Sequence, residues 1–137
     1  MLANGAELHY KEKGSAGDYT ELLGLKEIPE LGVEAEKVEN SNLKSKNKQY
    51  EMGVGDLPDM VYKFQYDNTK ADSPYRKMRE AQDSGKVLSF KDVLSDGSVT
   101  EYDAQVSVKR TGGGLNGVIE FELTMTVCSD FKYTDPT

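Results

Sequence analysis

Every second residue from Ile119 to Val127 is apolar: Ile119, Phe121, Leu123, Met125 and Val127 alternate with Glu120, Glu122, Thr124 and Thr126. A period of two sends the two sets to opposite faces of an extended chain, which is the pattern of a half-buried antiparallel strand. Tyr102, Ala104, Val106 and Val108 repeat it, with Glu101, Asp103, Gln105 and Ser107 between them. If the turn joining the two strands is Gly113-Gly114, Val108 falls opposite Ile119, Val106 opposite Phe121 and Ala104 opposite Leu123. Both apolar faces then coincide, as a buried face demands. Upstream, a two-residue Asp96-Gly97 turn would set Phe90 against Asp103. A three-residue Ser95-Asp96-Gly97 loop, with Gly97 left-handed, sets Phe90 against Tyr102 and Leu88 against Ala104. The three-residue loop is therefore expected.

Ahead of these hairpins, Ser73-Pro74 is a helix start, because serine can accept from an orphan amide and proline at the first position loses no needed donor. Gly85 ends the helix. Tyr75, Met78 and Ala81 form one narrow stripe, and Arg76–Glu80 and Arg79–Asp83 are opposite-charge pairs at i,i+4 on the wet side. The helix is expected to lie on the sheet.

Residues 1 to 6 read as a loose arm, Glu7 to Lys13 as a first strand and Gly14 to Asp18 as a break. Tyr19 to Leu25 is a second strand with Leu22, Leu23 and Leu25 to bury, and after Ile28-Pro29-Glu30-Leu31-Gly32 a third runs from Val33 to Val38. Asn40 to Leu57 is a long polar loop, cationic at Lys44, Lys46 and Lys48 and closed by Gly53-Val54-Gly55. Met60, Tyr62, Phe64 and Tyr66 mark another strand, and Asp67 to Asp72 turns into the helix. Ser129 to Thr137 is a short tail.

At 137 residues the chain is a single domain, 1–137, with one core. A hydrophobic fraction of 36%, a charged fraction of 30% and a net charge of −7 argue against a surface built to neutralise phosphates. No apolar run approaches the roughly 20 residues that span a bilayer. The lone Cys128 cannot form an intrachain disulfide, and Met1-Leu2-Ala3-Asn4-Gly5 lacks a basic-then-apolar leader pattern, so synthesis in the cytoplasm is expected.

Gly112 to Gly117 matches GxGxxG, but that pattern holds pyrophosphate only where its glycines open a helix, and here an alternating strand follows. A hairpin turn is expected instead. His9, the one histidine, has no second histidine or cysteine cluster to join and reads as an exposed strand residue rather than a metal ligand. Cys128 ends a strand without a histidine partner and reads as packing. Glu120 and Glu122 read as part of a solvated face, with Ser107 and Gln105 opposite. No catalytic, cofactor or metal constellation is visible, and an enzyme is not expected.

The order of Ile28-Pro29-Glu30-Leu31-Gly32 before a strand, a long polar loop ending in Gly53-Val54-Gly55-Asp56, the strand Met60 to Asp67, the helix from Tyr75, Val87 to Phe90, Asp96-Gly97 and a closing hairpin resembles the major tail tube protein of long-tailed bacteriophages. The likeness runs from about Tyr19 to Val127; where such proteins often carry a threonine-rich run into the loop, this chain has Glu39-Asn40-Ser41-Asn42. The resemblance implies a mainly β, antiparallel sandwich or barrel-like tail-tube fold with one flanking helix, assembled in the bacterial host cytoplasm as stacked hexameric rings in the virion tail. It implies tail-tip, tape-measure and tail terminator proteins as partners, DNA passing without stable binding, and no membrane. The long loop, with Lys44, Lys46, Lys48, Tyr50, Gly53 and Gly55, would then meet the neighbouring ring. The polar hairpin face, with Glu101, Asp103, Glu120 and Glu122, would line the channel and repel DNA. Two alternatives share parts of this reading: a tube subunit of a type VI-like secretion or contractile injection system, and a monomeric binding module with an exposed tyrosine platform.

Overall fold

The two alternating stretches become the centre of one antiparallel sheet. The protein is described here by a computed structural model covering residues 1–32, 37–39, 50–52 and 59–136. Its strands are β1 (Glu7–Glu12), β2 (Thr20–Glu21), β3 (Leu25–Glu27), β4 (Lys37–Glu39), β5 (Tyr50–Met52), β6 (Asp59–Gln65), β7 (Leu88–Val93), β8 (Val99–Thr111), β9 (Glu120–Val127) and β10 (Lys132–Thr134), and its helix is α1 (Pro74–Ser84). The main sheet runs β2-β1-β7-β8-β9-β6-β3, with β10 also paired to β8; β4 and β5 form a separate pair. The alternation decides which side is buried: Phe121, Leu123, Met125 and Val127 of β9, Tyr102, Ala104 and Val106 of β8, and Met60, Tyr62 and Phe64 of β6 all enter the core.

The expected second strand is broken in two, and its halves sit at the two ends of the sheet. Its start pairs with β1 (His9 opposite Glu21) and its end with β6 (Leu25 opposite Phe64). Between them the Leu22 amide donates to Leu8 O at 2.8 Å, and the Gln65 amide donates to Gly24 O at 2.8 Å. One segment thus reaches from one outer edge to the other and covers part of each, which shortens the unpaired edges that an open sheet exposes. Gly24 turns the corner at φ +86°, and Leu22 is buried there while Leu23 is exposed.

The helix stripe behaves as the spacing predicts. Met78 is fully buried, and Tyr75 and Ala81 pack against the same core. Gly85 caps the end in the left-handed region at φ +69°, its amide donating to Ala81 O and Gln82 O. The N-terminus differs, because Ser73 is buried and its Oγ accepts from the Lys70 amide instead of capping the helix. The expected i,i+4 pairs are replaced as well. Arg76 reaches back to Asn68 Oδ1 at 2.8 Å, and Arg79 lies over the Tyr75 ring.

The Ser95-Asp96-Gly97 loop is as expected, with Phe90 opposite Tyr102, Leu88 opposite Ala104 and Gly97 at φ +92°. The second hairpin is not closed by Gly113-Gly114. Ala104 faces Val127, Val106 faces Met125 and Val108 faces Leu123, four residues from the expected register. A slip by an even number keeps every side chain on its face, so alternation alone cannot distinguish the two registers. The longer loop is built from positive φ at Gly112 (+83°) and Asn116 (+60°) and a Gly117 amide to Gly114 O bond. Ile119 therefore leaves the core and is 46% exposed. As a hairpin loop, the GxGxxG stretch opens no helix.

Further expectations are corrected. The tail is not merely a tail, since Lys132–Thr134 continues along β8 after β9 has left it. Cys128 is exposed rather than packed, its amide donating to Asp103 O. The segment expected as a loop from residue 40 to 57 contains β5, paired with β4 through Glu39 opposite Tyr50; of the expected third strand, Lys37–Glu39 is described as strand. The rest of that loop, including Lys44, Lys46, Lys48, Gly53 and Gly55, lies outside the described residues, as does 33–36.

The observed hairpin predicts unequal tolerance among adjacent glycines. A Cβ on Gly112 would sit 2.0 Å from Val118 O, whereas one on Gly113 meets nothing within 4 Å. Gly112→Ala should destabilise by about 2 kcal/mol or more, and Gly113→Ala by no more than about 0.5 kcal/mol, in urea unfolding.

Candidate functional surface: the outer face of the sheet

The face opposite the core carries the alternate residues of β6, β8 and β9, and all four predicted channel acids lie on it. They do not form one cluster. Glu122 stands opposite Lys109 and Glu120 opposite Thr111, so along β8 they lie about 20 Å or more from Asp103 and Glu101. The expected facing of Ser107 and Gln105 to these glutamates is lost with the register; they oppose Thr124 and Thr126.

Each acid has a cationic neighbour. Glu120 pairs with Lys26 at 3.1 Å, Asp103 with Lys13 at 3.8 Å and Glu101 with Lys132 at 4.0 Å. Glu122 lies between Lys63 of β6 and Lys109 of β8, and Lys63 also pairs with Glu27 at 3.2 Å. Such exposed pairs add little stability. Their consequence is for charge: around Glu120 and Glu122, three acids (Glu27, Glu120 and Glu122) are balanced by Lys26, Lys63 and Lys109. Asp103 is further held by the Ser89 hydroxyl, which donates to it at 2.7 Å.

Aromatic residues do not make a binding platform on this face. Tyr62 and Tyr102 are buried, Tyr66 and Tyr75 meet edge to face, and Tyr19 is covered by Lys11 and Lys91; among the described tyrosines only Tyr133 is largely exposed. Away from this face, exposed apolar residues stand at the hairpin tip, where Leu115 is 97% and Val118 66% exposed, and at Met1, Leu2 and Leu23.

The inner face holds one polar chain. Tyr102 donates to the Tyr62 hydroxyl at 3.0 Å, and Tyr62 donates to Asp92 Oδ2 at 2.6 Å. Burial raises both tyrosines, so they remain neutral donors. Burial also raises Asp92, and the Tyr62 hydrogen bond opposes that rise. Nothing in the alternation signals this chain, because Asp92 sits at an apolar position of β7 and its partner arrives from β6 by curvature of the sheet.

The fold has solved counterparts. A chain from the tail of an empty GTA particle, refined helically with C6 symmetry, superposes with a TM-score of 0.72 at 20% identity, over 97% of this chain and 99% of that one. A chain of the native gene transfer agent virion gives 0.65 at 20% identity over 93% and 95%. A chain of the 6-fold symmetrised anti-feeding prophage baseplate gives 0.67 at 7% identity over 98% and 95%. No protein-family model and no curated protein matches the chain. The protein thus has a tail-tube-type fold, mostly antiparallel β with one helix, and the resemblance drawn from its sequence is shown at the level of fold.

The polar chain makes stability depend on pH in a defined direction. Because the folded pKa of Asp92 is raised, the folded state holds its proton more tightly than the unfolded state. The contribution of Asp92 therefore falls as pH rises from the ordinary aspartate value of about 4 through the raised one. Urea unfolding across pH 4 to 8 should show wild type losing stability relative to Asp92→Asn with rising pH, and Tyr62→Phe, which removes the opposing hydrogen bond, should steepen the loss.

Proposed function

We propose that this protein is a structural, non-enzymatic tail subunit that assembles as stacked hexameric rings into the tube of a virion tail. The observation that carries the reading is the mutual, almost full-length superposition on a chain of a C6-symmetric tail. A chain of this fold has its own sheet edges bridged internally, so assembly would proceed through faces, tips and the segment 40–57, where Lys44, Lys46, Lys48 and Tyr50 with Gly53 and Gly55 would meet the next ring. Its partners would be further copies of itself and the tail-tip, tape-measure and tail terminator proteins, with assembly in the host cytoplasm. The likeness to a chain of the 6-fold symmetrised anti-feeding prophage baseplate supports a second reading, the tube of a contractile injection system.

The outer face with Glu101, Asp103, Glu120 and Glu122 would line the channel. Its acids are matched by lysines, so charge balance, rather than the net repulsion expected from the sequence, would keep DNA from binding. Lysines already engaged by carboxylates offer little for phosphates to replace.

Purified protein should sediment as a monomer when dilute and give rings or tubes by negative-stain microscopy when concentrated or supplied with tail-tip complexes. A monomer under every one of these conditions overturns the tube reading. Glu120→Lys with Glu122→Lys would turn three acids against three lysines into one against five around Glu120 and Glu122. Tubes of that variant should retain linear DNA at about 50 mM salt and release it near 200 mM. Tubes that bind DNA no more than the parent's would place these residues outside the channel.

A further inference from the structure

The closing seam of the sheet carries a set of donors that sequence spacing does not reveal. His9 and Glu21 are register partners across β1 and β2, and Glu7 lies two residues from His9 on the same face. His9 Nε2 is 3.1 Å from Glu7 Oε2, and one donor atom from each of Glu7, His9 and Glu21 lies within 4.8 Å of the others. The outer-face acids Glu27, Glu101, Asp103 and Glu120 each have a lysine within ion-pair distance. Among the described residues, Glu7 and Glu21 have none, and neither do Asp59 and Glu122. The nearest cations by register and spacing, Lys91 opposite His9 and Lys11 beyond it, are drawn to the Tyr19 ring, with Nζ at 5.7 and 4.7 Å from its centroid.

We propose that Glu7, His9 and Glu21 form a binding site for a divalent transition-metal ion of the zinc class, completed by water, that staples β2 to β1. One imidazole and two carboxylates are a donor set zinc accepts, with ligand distances of about 2.0–2.2 Å, so tetrahedral donors stand about 3.3 Å apart. His9 and Glu7 already meet that spacing, and Glu21, exposed on β2, has a carboxylate oxygen within 4.8 Å of both. The placement gives the ion a structural consequence. β2 contributes just two residues to the ladder that bridges the sheet edges. An ion shared across it would hold the seam shut, stabilising the folded state in proportion to its occupancy. Binding weakens on acidification, because the metal competes with a proton for the imidazole.

The site is independent of the tube reading, and its test uses the free subunit. Zinc chloride titrated into wild-type protein at pH 7.5 in a calorimeter should bind at one ion per chain, and the Tm should rise at saturating zinc. Hydrogen exchange should slow at the Leu22 amide, which bonds Leu8 O beside the site. His9→Ala and Glu21→Gln should each weaken binding by at least about tenfold and abolish the Tm shift while leaving the metal-free circular dichroism unchanged. No binding by wild type at millimolar zinc, or binding that survives His9→Ala, overturns the proposal. If His9→Ala fails to fold, Glu21→Gln alone decides, since Glu21 is exposed and lies at the rim.

Discussion

β8 is thirteen residues long, and the rest of the protein is placed by what pairs with it. One edge is taken by β7 from Val99 to Ala104 and then passes to the helix, where Gln82 Oε1 accepts from the Val108 amide. The other edge is taken by β9 from Ala104 to Thr111 and by β10 from Val99 to Glu101. Between β9 and β10, the Asp103 amide donates to Ser129 Oγ and the Cys128 amide donates to Asp103 O. A strand this long would otherwise leave backbone donors and acceptors open to another chain. Each successive partner covers the stretch the previous one leaves.

That division of β8 also curves the sheet. Strands that overlap only part of their neighbour stagger the ladder, and stagger with twist brings distant strands round toward each other. The consequence is visible inside, where Tyr62 of β6 reaches Asp92 of β7 past Tyr102 of β8. It is visible again at the rim, where one short segment touches both β1 and β6. A buried carboxylate in such an interior is tolerable because it has a phenolic donor at 2.6 Å, and its cost is relieved further by holding a proton.

On the outside, closure joins segments that are remote in sequence. Lys26 reaches Glu120, Lys13 reaches Asp103 and Lys132 reaches Glu101. A chain with net charge −7 thereby presents a sheet face on which Glu101, Asp103 and Glu120 each stand beside a lysine. Paired carboxylates repel one another less than bare ones on the same face would.

The sequence by itself determined the faces and the local turns. Period-two alternation in β6, β8 and β9 is a property of the extended backbone, so Phe121, Leu123 and Met125 had one available side once any sheet formed. The Ser95-Asp96-Gly97 loop and the Gly85 cap were legible because each needs a left-handed residue at one place and glycine stands there. Register in the β8–β9 hairpin was not legible, since a slip of four leaves every face unchanged and only the packing of a closed sheet separates the alternatives. Tertiary structure alone also decided that Tyr19 to Leu25 would break into β2 and β3, that Asp92 would meet Tyr62, and that Glu21 would arrive beside Glu7 and His9. Each of these depends on how far the sheet curls, a sum over many strand crossings that no local stretch of residues encodes.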